Sequence, residues 1–330
     1  MGRASTFSDP RVIATLQRDF IPVAINVAHL VPEDTERRNW GESSKFVEAI
    51  VRKSGLRTRQ RGDAQGYYAL SAAGDFYGGL NTHDIDKVIE LLDGARRRLA
   101  ADPPQPVSLT ETELGPEARV PSDAAVLRVF SRIDPLPAET PAKSLNRGVG
   151  RDHLWVLKRE LDEIVASLRR ADDALAPSAL SRRIVRFHVI DNVRGEPELW
   201  LSENVKGRSF HVARVAETPE TLTVALTGSY AMLMPPGVRV EGWRSAPEMG
   251  LEGVLRGLLA IDKGRGSLRS ARVFATAKAW GQITFTRGAP KGEFPIKFAM
   301  VLAEDRFSQE IAPQGLMGVG SEAYLDPECP

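Results

Sequence analysis

The polar residues dense enough to do chemistry fall in two clusters. Asn146-Arg147-Gly148-Val149-Gly150-Arg151-Asp152-His153 opens a long apolar-periodic stretch, and Asp191-Asn192-Val193-Arg194-Gly195-Glu196 closes a β-branched one. In the first, Arg147, Arg151 and Asp152 stand where a helix N-terminus and two guanidinium groups would hold a carboxylate or phosphate. In the second, Asp191, Arg194 and Glu196, joined by His153, supply two carboxylates, a cation and an imidazole, from which an acid, a base or an anion anchor could be drawn. The structural alternative is a capped helix with solvated arginines and a charged turn.

Other chemistries find less support. The histidines are His29, His83, His153, His188 and His211, and none has a second ligand at metal-binding spacing, so neither a metal nor a cofactor is expected. His153 and Glu160 share a face if both lie on one helix, whereas His188 and Asp191 would point to opposite faces of a strand. No Gly-x-Ser-x-Gly elbow is present, and Gly264-Arg265-Gly266 lies between strand-like runs, where it reads as a hairpin turn and not as a phosphate loop. Trp155, Trp200, Trp243 and Trp280 all fall in the second half of the chain, where they could line a pocket or fill a core.

Composition narrows the classes further. The 44 Lys and Arg balance 43 Asp and Glu, which leaves no global field to attract nucleic acid. Cys329 is the single cysteine, so an intramolecular disulfide and a dithiol redox site are both excluded. No run approaches the roughly 20 apolar residues of a spanning helix. Met1 to Arg11 is polar, unlike a leader, and the expectation is a soluble, cytoplasmic protein.

The elements that would position these residues can be read from spacing. Ser8-Asp9-Pro10 predicts a helix start, with Val12, Ile13 and Leu16 on one face to about Asp19. Phe20 to Val27 predicts a buried strand, and Lys45 to Lys53 a helix. Gln65 to Leu70 and Phe76 to Leu80, separated by Ala72-Ala73-Gly74-Asp75, predict a hairpin. Thr82-His83-Asp84 then caps a helix from Ile85 to Leu99. Prolines from Ala101 to Pro121 mark a linker. Beyond it come a strand at Ala124 to Ile133, a helix over 151–170, and strand-like runs at 183–191, 209–216, 221–232, 238–243, 253–261, 270–280, 282–287 and 294–302. Turn signals separate most of the later runs at the intervals of an antiparallel sandwich or barrel.

The order helix, strand, helix, hairpin, helix in the first third resembles the thioredoxin-like fold. Gln65 to Leu99 looks like its second half, and Asp9-Pro10-Arg11-Val12 with Phe20-Ile21-Pro22-Val23 resembles the opening of such domains. The resemblance implies a dithiol near Ala28-His29-Leu30-Val31 and a cis proline near Ala64-Gln65-Gly66, but this sequence has neither Cys nor Pro there. Without a thiolate, thiol exchange is impossible.

The reading is an α+β chain of two domains. A thioredoxin-like domain without redox cysteines spans 1–101, a linker 102–122, and a mainly antiparallel β domain 123–330. Its expected role is that of a non-redox binding or scaffold protein for a protein, peptide or small-molecule ligand. The alternative is a hydrolase or transferase with its site in the β domain or the interdomain cleft. A third possibility is assembly through an exposed sheet edge.

Overall fold

The computed structural model describes residues 6–23, 49–50, 52–54, 66–82, 84–104, 121–135, 149–194, 200–237, 248–281, 292–309, 311–313 and 323–327. The chain divides into two compact units, Met1–Pro116 and Glu117–Pro330. No helix among the described residues is long and apolar enough to cross a membrane.

In the first unit, α1 (Pro10–Asp19) begins where Asp9 accepts the Arg11 backbone N–H at 2.8 Å, with proline at its first position. Strands β1 (Tyr67–Leu70) and β2 (Phe76–Leu80) pair antiparallel around the turn that Gly74 makes at φ 88°. Helix α2 (Ile85–Ala101) follows, capped by the Asp84 carboxylate, which accepts the Asp86 and Lys87 N–H groups. Val12, Ala69, Val88, Leu92 and Ala95 are its buried apolar residues in these elements. Residues 20–23 belong to no strand. The remainder of the strand expected at 20–27 lies outside the described residues, as do 28–31, where the resemblance would place a dithiol.

The second unit is built on one eight-stranded antiparallel sheet in the order β4-β3-β10-β9-β8-β7-β6-β5. Its strands are β3 (Ala124–Ile133), β4 (Val149–Leu157), β5 (Asp173–Leu175), β6 (Val205–Glu217), β7 (Thr221–Met234), β8 (Met249–Asp262), β9 (Ser267–Trp280) and β10 (Phe294–Leu302). The described strands therefore form a single open sheet, not the two facing sheets of a sandwich. Each strand pairs with the next in one continuous order, and burial alternates along them with period 2. Along β9, residues 271, 273, 275, 277 and 279 are buried while 270, 272, 274, 276 and 278 are exposed. One face carries the core, in which each buried Leu, Ile, Val or Phe contributes about 1.5–3 kcal/mol.

Helix α3 (Lys158–Leu168) and helix α4 (Ser178–Arg183) join that core through Leu161, Ile164, Leu168 and Leu180. Two expectations are corrected here. The helix expected over 151–170 begins only at Lys158, because residues 149–157 form β4 and pair with β3 from Arg132↔Val149 to Ala124↔Leu157. The strand expected over 183–191 is instead the end of α4, a π-helical turn (Ile184–His188) and a bend. The runs expected at 238–243 and 282–287 lie outside the described residues.

Close approach of neighbouring strands explains one glycine. A Cβ on Gly257 would lie 2.6 Å from the Arg272 carbonyl oxygen and 2.8 Å from the Val273 Cα, so β8 tolerates no side chain there without shifting β9.

Candidate functional site

Strand β4 is an edge strand, and an edge presents N–H and C=O groups that must find partners. Three alternate N–H groups along it do so through side chains. His153 donates to the Asp152 carboxylate at 2.8 Å, Trp155 to the Tyr324 hydroxyl at 3.3 Å, and Leu157 to the Glu160 carboxylate at 2.9 Å. The Trp155 carbonyl accepts from Arg183 at 3.2 Å. A buried polar network thus takes the place of a ninth strand.

The π-helical turn aims the rest of this network. Arg183 donates to both oxygens of Glu160 at 2.8 and 3.0 Å, and to the carbonyls of Tyr324 and Leu325 at 3.0 and 2.9 Å. Arg186 donates to the carbonyls of Trp200 at 2.7 Å and Pro327 at 3.2 Å. His188 bonds Asp152 through Nδ1 at 2.9 Å and Tyr324 through Nε2 at 2.7 Å. Two buried arginines and a histidine therefore grip the segment 323–327. Tyr324 also packs edge-on against Trp155 at 5.7 Å and beside Phe187 at 5.3 Å.

One proton arrangement satisfies the chain of bonds. A neutral His188 donates from Nδ1 to Asp152, and its Nε2 accepts from Tyr324, whose oxygen accepts from the Trp155 N–H. Burial pushes the Tyr324 phenol well above its ordinary range and so keeps the proton on oxygen. Burial also raises the Glu160 carboxyl, opposed by the Arg183 guanidinium. An Asp-His-Tyr relay of this kind resembles acid–base machinery in its order of groups. The His188 side chain is 0% exposed and that of Asp152 4%, however, so the relay faces the interior.

The sequence-derived candidates separate. Asp191 and Arg194 are both buried and pair with each other. Asp191 also accepts the Val193 and Arg194 N–H groups, and Arg194 donates to the Gly281 carbonyl and lies 4.3 Å over the Phe294 ring. Both charges are spent on closing a turn against the sheet. Asp152 belongs to the network at the β4 edge. Arg151 is exposed and His153 half-buried on the opposite face of β4, so the structure does not bring His153 to Asp191 and Arg194 as a shared site among described groups. Arg147, Glu196 and Trp243 lie outside the described residues. Trp155 and Trp200 are core residues, and Trp280 is half-buried.

Sequence reasoning missed Arg183, Arg186 and Tyr324, and weighed Glu160 only as a helix-face partner of His153, whereas His153 lies on β4 and Glu160 on α3. The available signal was the crowding of Arg183, Arg186 and His188 into six residues of apolar sequence, since charges in such a run need buried partners.

Acidification should destabilise the protein in two stages. Burial holds His153 below the ordinary histidine range, so the stability it contributes is full above about pH 6.5 and falls as pH drops through its lower folded-state value. The carboxyls of Asp134, beside Lys297, Glu217, beside Lys263, and Asp262, bonded by the Arg265 N–H, are also held low. Their contribution is present above about pH 4 and is lost as pH falls through their folded values. Glu160, raised, acts in the opposite sense. The urea midpoint should fall between about pH 7 and about pH 5.5, and this early fall should shrink in His153→Gln.

The second constellation is the sheet face opposite the core. Arg256 stands opposite Phe274, Phe274 opposite Ala299, Ala299 opposite Phe130, and Phe130 opposite Arg151, one row across five strands. Val254, Leu258 and Phe274 are 58%, 52% and 53% exposed on this face. Lys278 pairs there with Glu252 at 3.0 Å and Glu293 at 3.2 Å, along a shallow groove floored by Val254, Thr276 and Pro295. Among the described residues no group of three His, Cys, Asp or Glu side chains converges as a metal site would require. No family model, curated protein or solved structure matches this chain.

Proposed function

We propose that the protein is a non-redox binding or scaffold protein, with a thioredoxin-like module joined to a β-rich unit that recognises its partner through the open face of the eight-stranded sheet. The observation that carries this reading is the exposure of Val254, Leu258 and Phe274 together on β8 and β9, on the sheet face opposite the core; at β3 and β4 the same face is covered, where Val126 and Trp155 pack against Phe187 and Tyr324. Exposed large apolar side chains grouped on one surface are the usual mark of an interaction site. The hairpin β1–β2 followed by α2 supports the thioredoxin-like part, and the single cysteine, Cys329, supports the absence of dithiol exchange.

The enzymatic alternative draws on Asp191, Arg194, Glu196 and His153; Asp191 and Arg194 are buried and neutralise each other, and Glu196 lies outside the described residues. A broad hydrolase and transferase screen of the purified chain and of an Asp191→Ala/His153→Ala variant tests the choice. No activity that depends on these residues is expected. An activity present in the parent and lost in a folded double variant would overturn the binding reading.

A further inference from the structure

We infer that the open sheet face binds an acidic polypeptide segment of another protein, one whose carboxylates alternate with apolar side chains. The inference rests on the binding reading above and adds the chemistry of the partner. Charge is the first ground. Arg132, Arg151, Arg256 and Arg272 share this face by strand register, and none is within ion-pair distance of a carboxylate among the described residues, although Arg132 acts on Asp134 through space. The described acids of the face are already engaged: Glu252 and Glu293 share Lys278, Asp134 pairs with Lys297, and Asp305 with Arg128. Among the described residues, the seven cations Arg128, Arg132, Arg151, Arg256, Arg272, Lys278 and Lys297 outnumber the four carboxylates Glu252, Glu293, Asp134 and Asp305 on this face by three, although the whole chain carries a net charge of only +1.

The apolar residues supply the second ground. Val254 and Leu258 flank Arg256 two residues away on β8, and Phe274 stands directly opposite it on β9. Neighbours two apart on a strand are about 7 Å from one another, the separation of same-side residues in an extended partner. An arginine flanked by apolar side chains fits a carboxylate carried between apolar side chains, and an arginine beside an aromatic ring is a pairing enriched at protein interfaces. With nine or more residues in each long strand, the face spans about 30 Å in each direction, ample for the roughly 800 Å² that a stable partner covers.

Other occupants fit less well. A second copy docked face to face would set arginines against arginines. Strand addition is closed at β4, whose edge the side chains of Asp152, Tyr324 and Glu160 already satisfy. A single-stranded nucleic acid needs a succession of ring faces to stack its bases, whereas this face exposes one large ring, Phe274, between the aliphatic Val254 and Leu258.

The test uses the full chain and a fluorescent peptide of repeated Glu-Ser-Leu-Ser, which places glutamate and leucine alternately on one side of an extended backbone. Repeated Gln-Ser-Leu-Ser and single-stranded oligothymidylate serve as comparison probes. The acidic peptide should bind, should weaken with added salt, and should lose roughly tenfold or more in affinity to the Arg256→Glu/Arg272→Glu variant. An Arg256→Gln/Arg272→Gln variant covers the case in which charge reversal impairs folding, as judged by its thermal transition. Equal binding of the glutamine peptide, or preferential binding of oligothymidylate lost in the same variants, would reject the acidic polypeptide while leaving the face as a binding surface. If no probe binds, the inference and the use of this face fall together.

Discussion

Arg183→Met should lower the free energy of unfolding by about 3–5 kcal/mol, the cost of leaving a buried carboxylate without its partner. Arg183 is 0% exposed, and it neutralises Glu160 while holding the carbonyls of Trp155, Tyr324 and Leu325. Methionine fills much of the volume, so the loss is electrostatic and not a cavity. The decisive measurement is a double-mutant cycle in urea with Glu160→Gln, which keeps an acceptor for the Leu157 N–H. Arg183→Met/Glu160→Gln should be more stable than Arg183→Met alone, because the stranded charge is gone. Strict additivity, within about 0.5 kcal/mol, would mean that the two groups do not act as a pair.

Tyr324→Ala should cost about 3–5 kcal/mol, as truncation of a fully buried aromatic side chain does. The ring touches Trp155, Phe187 and His188, and Arg183 lies 5.4 Å from its centroid. Tyr324→Phe separates packing from hydrogen bonding. It retains the ring but leaves His188 Nε2 and the Trp155 N–H buried without a partner, an expected loss of about 1–3 kcal/mol. The near-ultraviolet circular dichroism of Trp155 should persist in the phenylalanine variant and weaken in the alanine variant. A phenylalanine variant as stable as the parent would show that the hydroxyl does not cap the β4 edge.

Both predictions concern the closure of a sheet edge, and they bear on function through what they remove from consideration. β4 is closed by side chains at one end of the strand order, whereas at the other the three-residue β5 pairs only with His211–Ala213 of β6. The assembly by edge pairing considered from sequence has no open template at β4. In the proposed binding role, recognition would fall to the side chains exposed on β8 and β9, on the face opposite the core.

Where burial is one-sided, the sequence was legible. In β9 and β10 the residues alternate between core and solvent, and the expected spans 270–280 and 294–302 lie within or match the observed Ser267–Trp280 and Phe294–Leu302. The α1 and α2 starts were marked by Asp9 and Asp84, whose carboxylates do accept the expected backbone N–H groups. Where burial is two-sided, the period vanished. Leu154, Trp155, Val156 and Leu157 are all buried, two facing the core and two covered from the other side, so β4 carried no alternation and merged with α3 into one apparent helix. Every residue from Arg183 to Asp191 is buried as well, and a β-branched run with no solvent face reads as a strand even when it winds as a helix.

The sequence by itself determined the antiparallel character of the second unit, the hairpin of the first, and the lack of a cysteine pair, since each depends on local spacing or on a count. Only the tertiary structure decided which polar groups meet. Tyr324 and His188 lie far apart along the chain, and no local pattern encodes a contact that is made because an edge strand needs acceptors. The same holds for the open face, whose arginines come from four different strands and become neighbours only through their register.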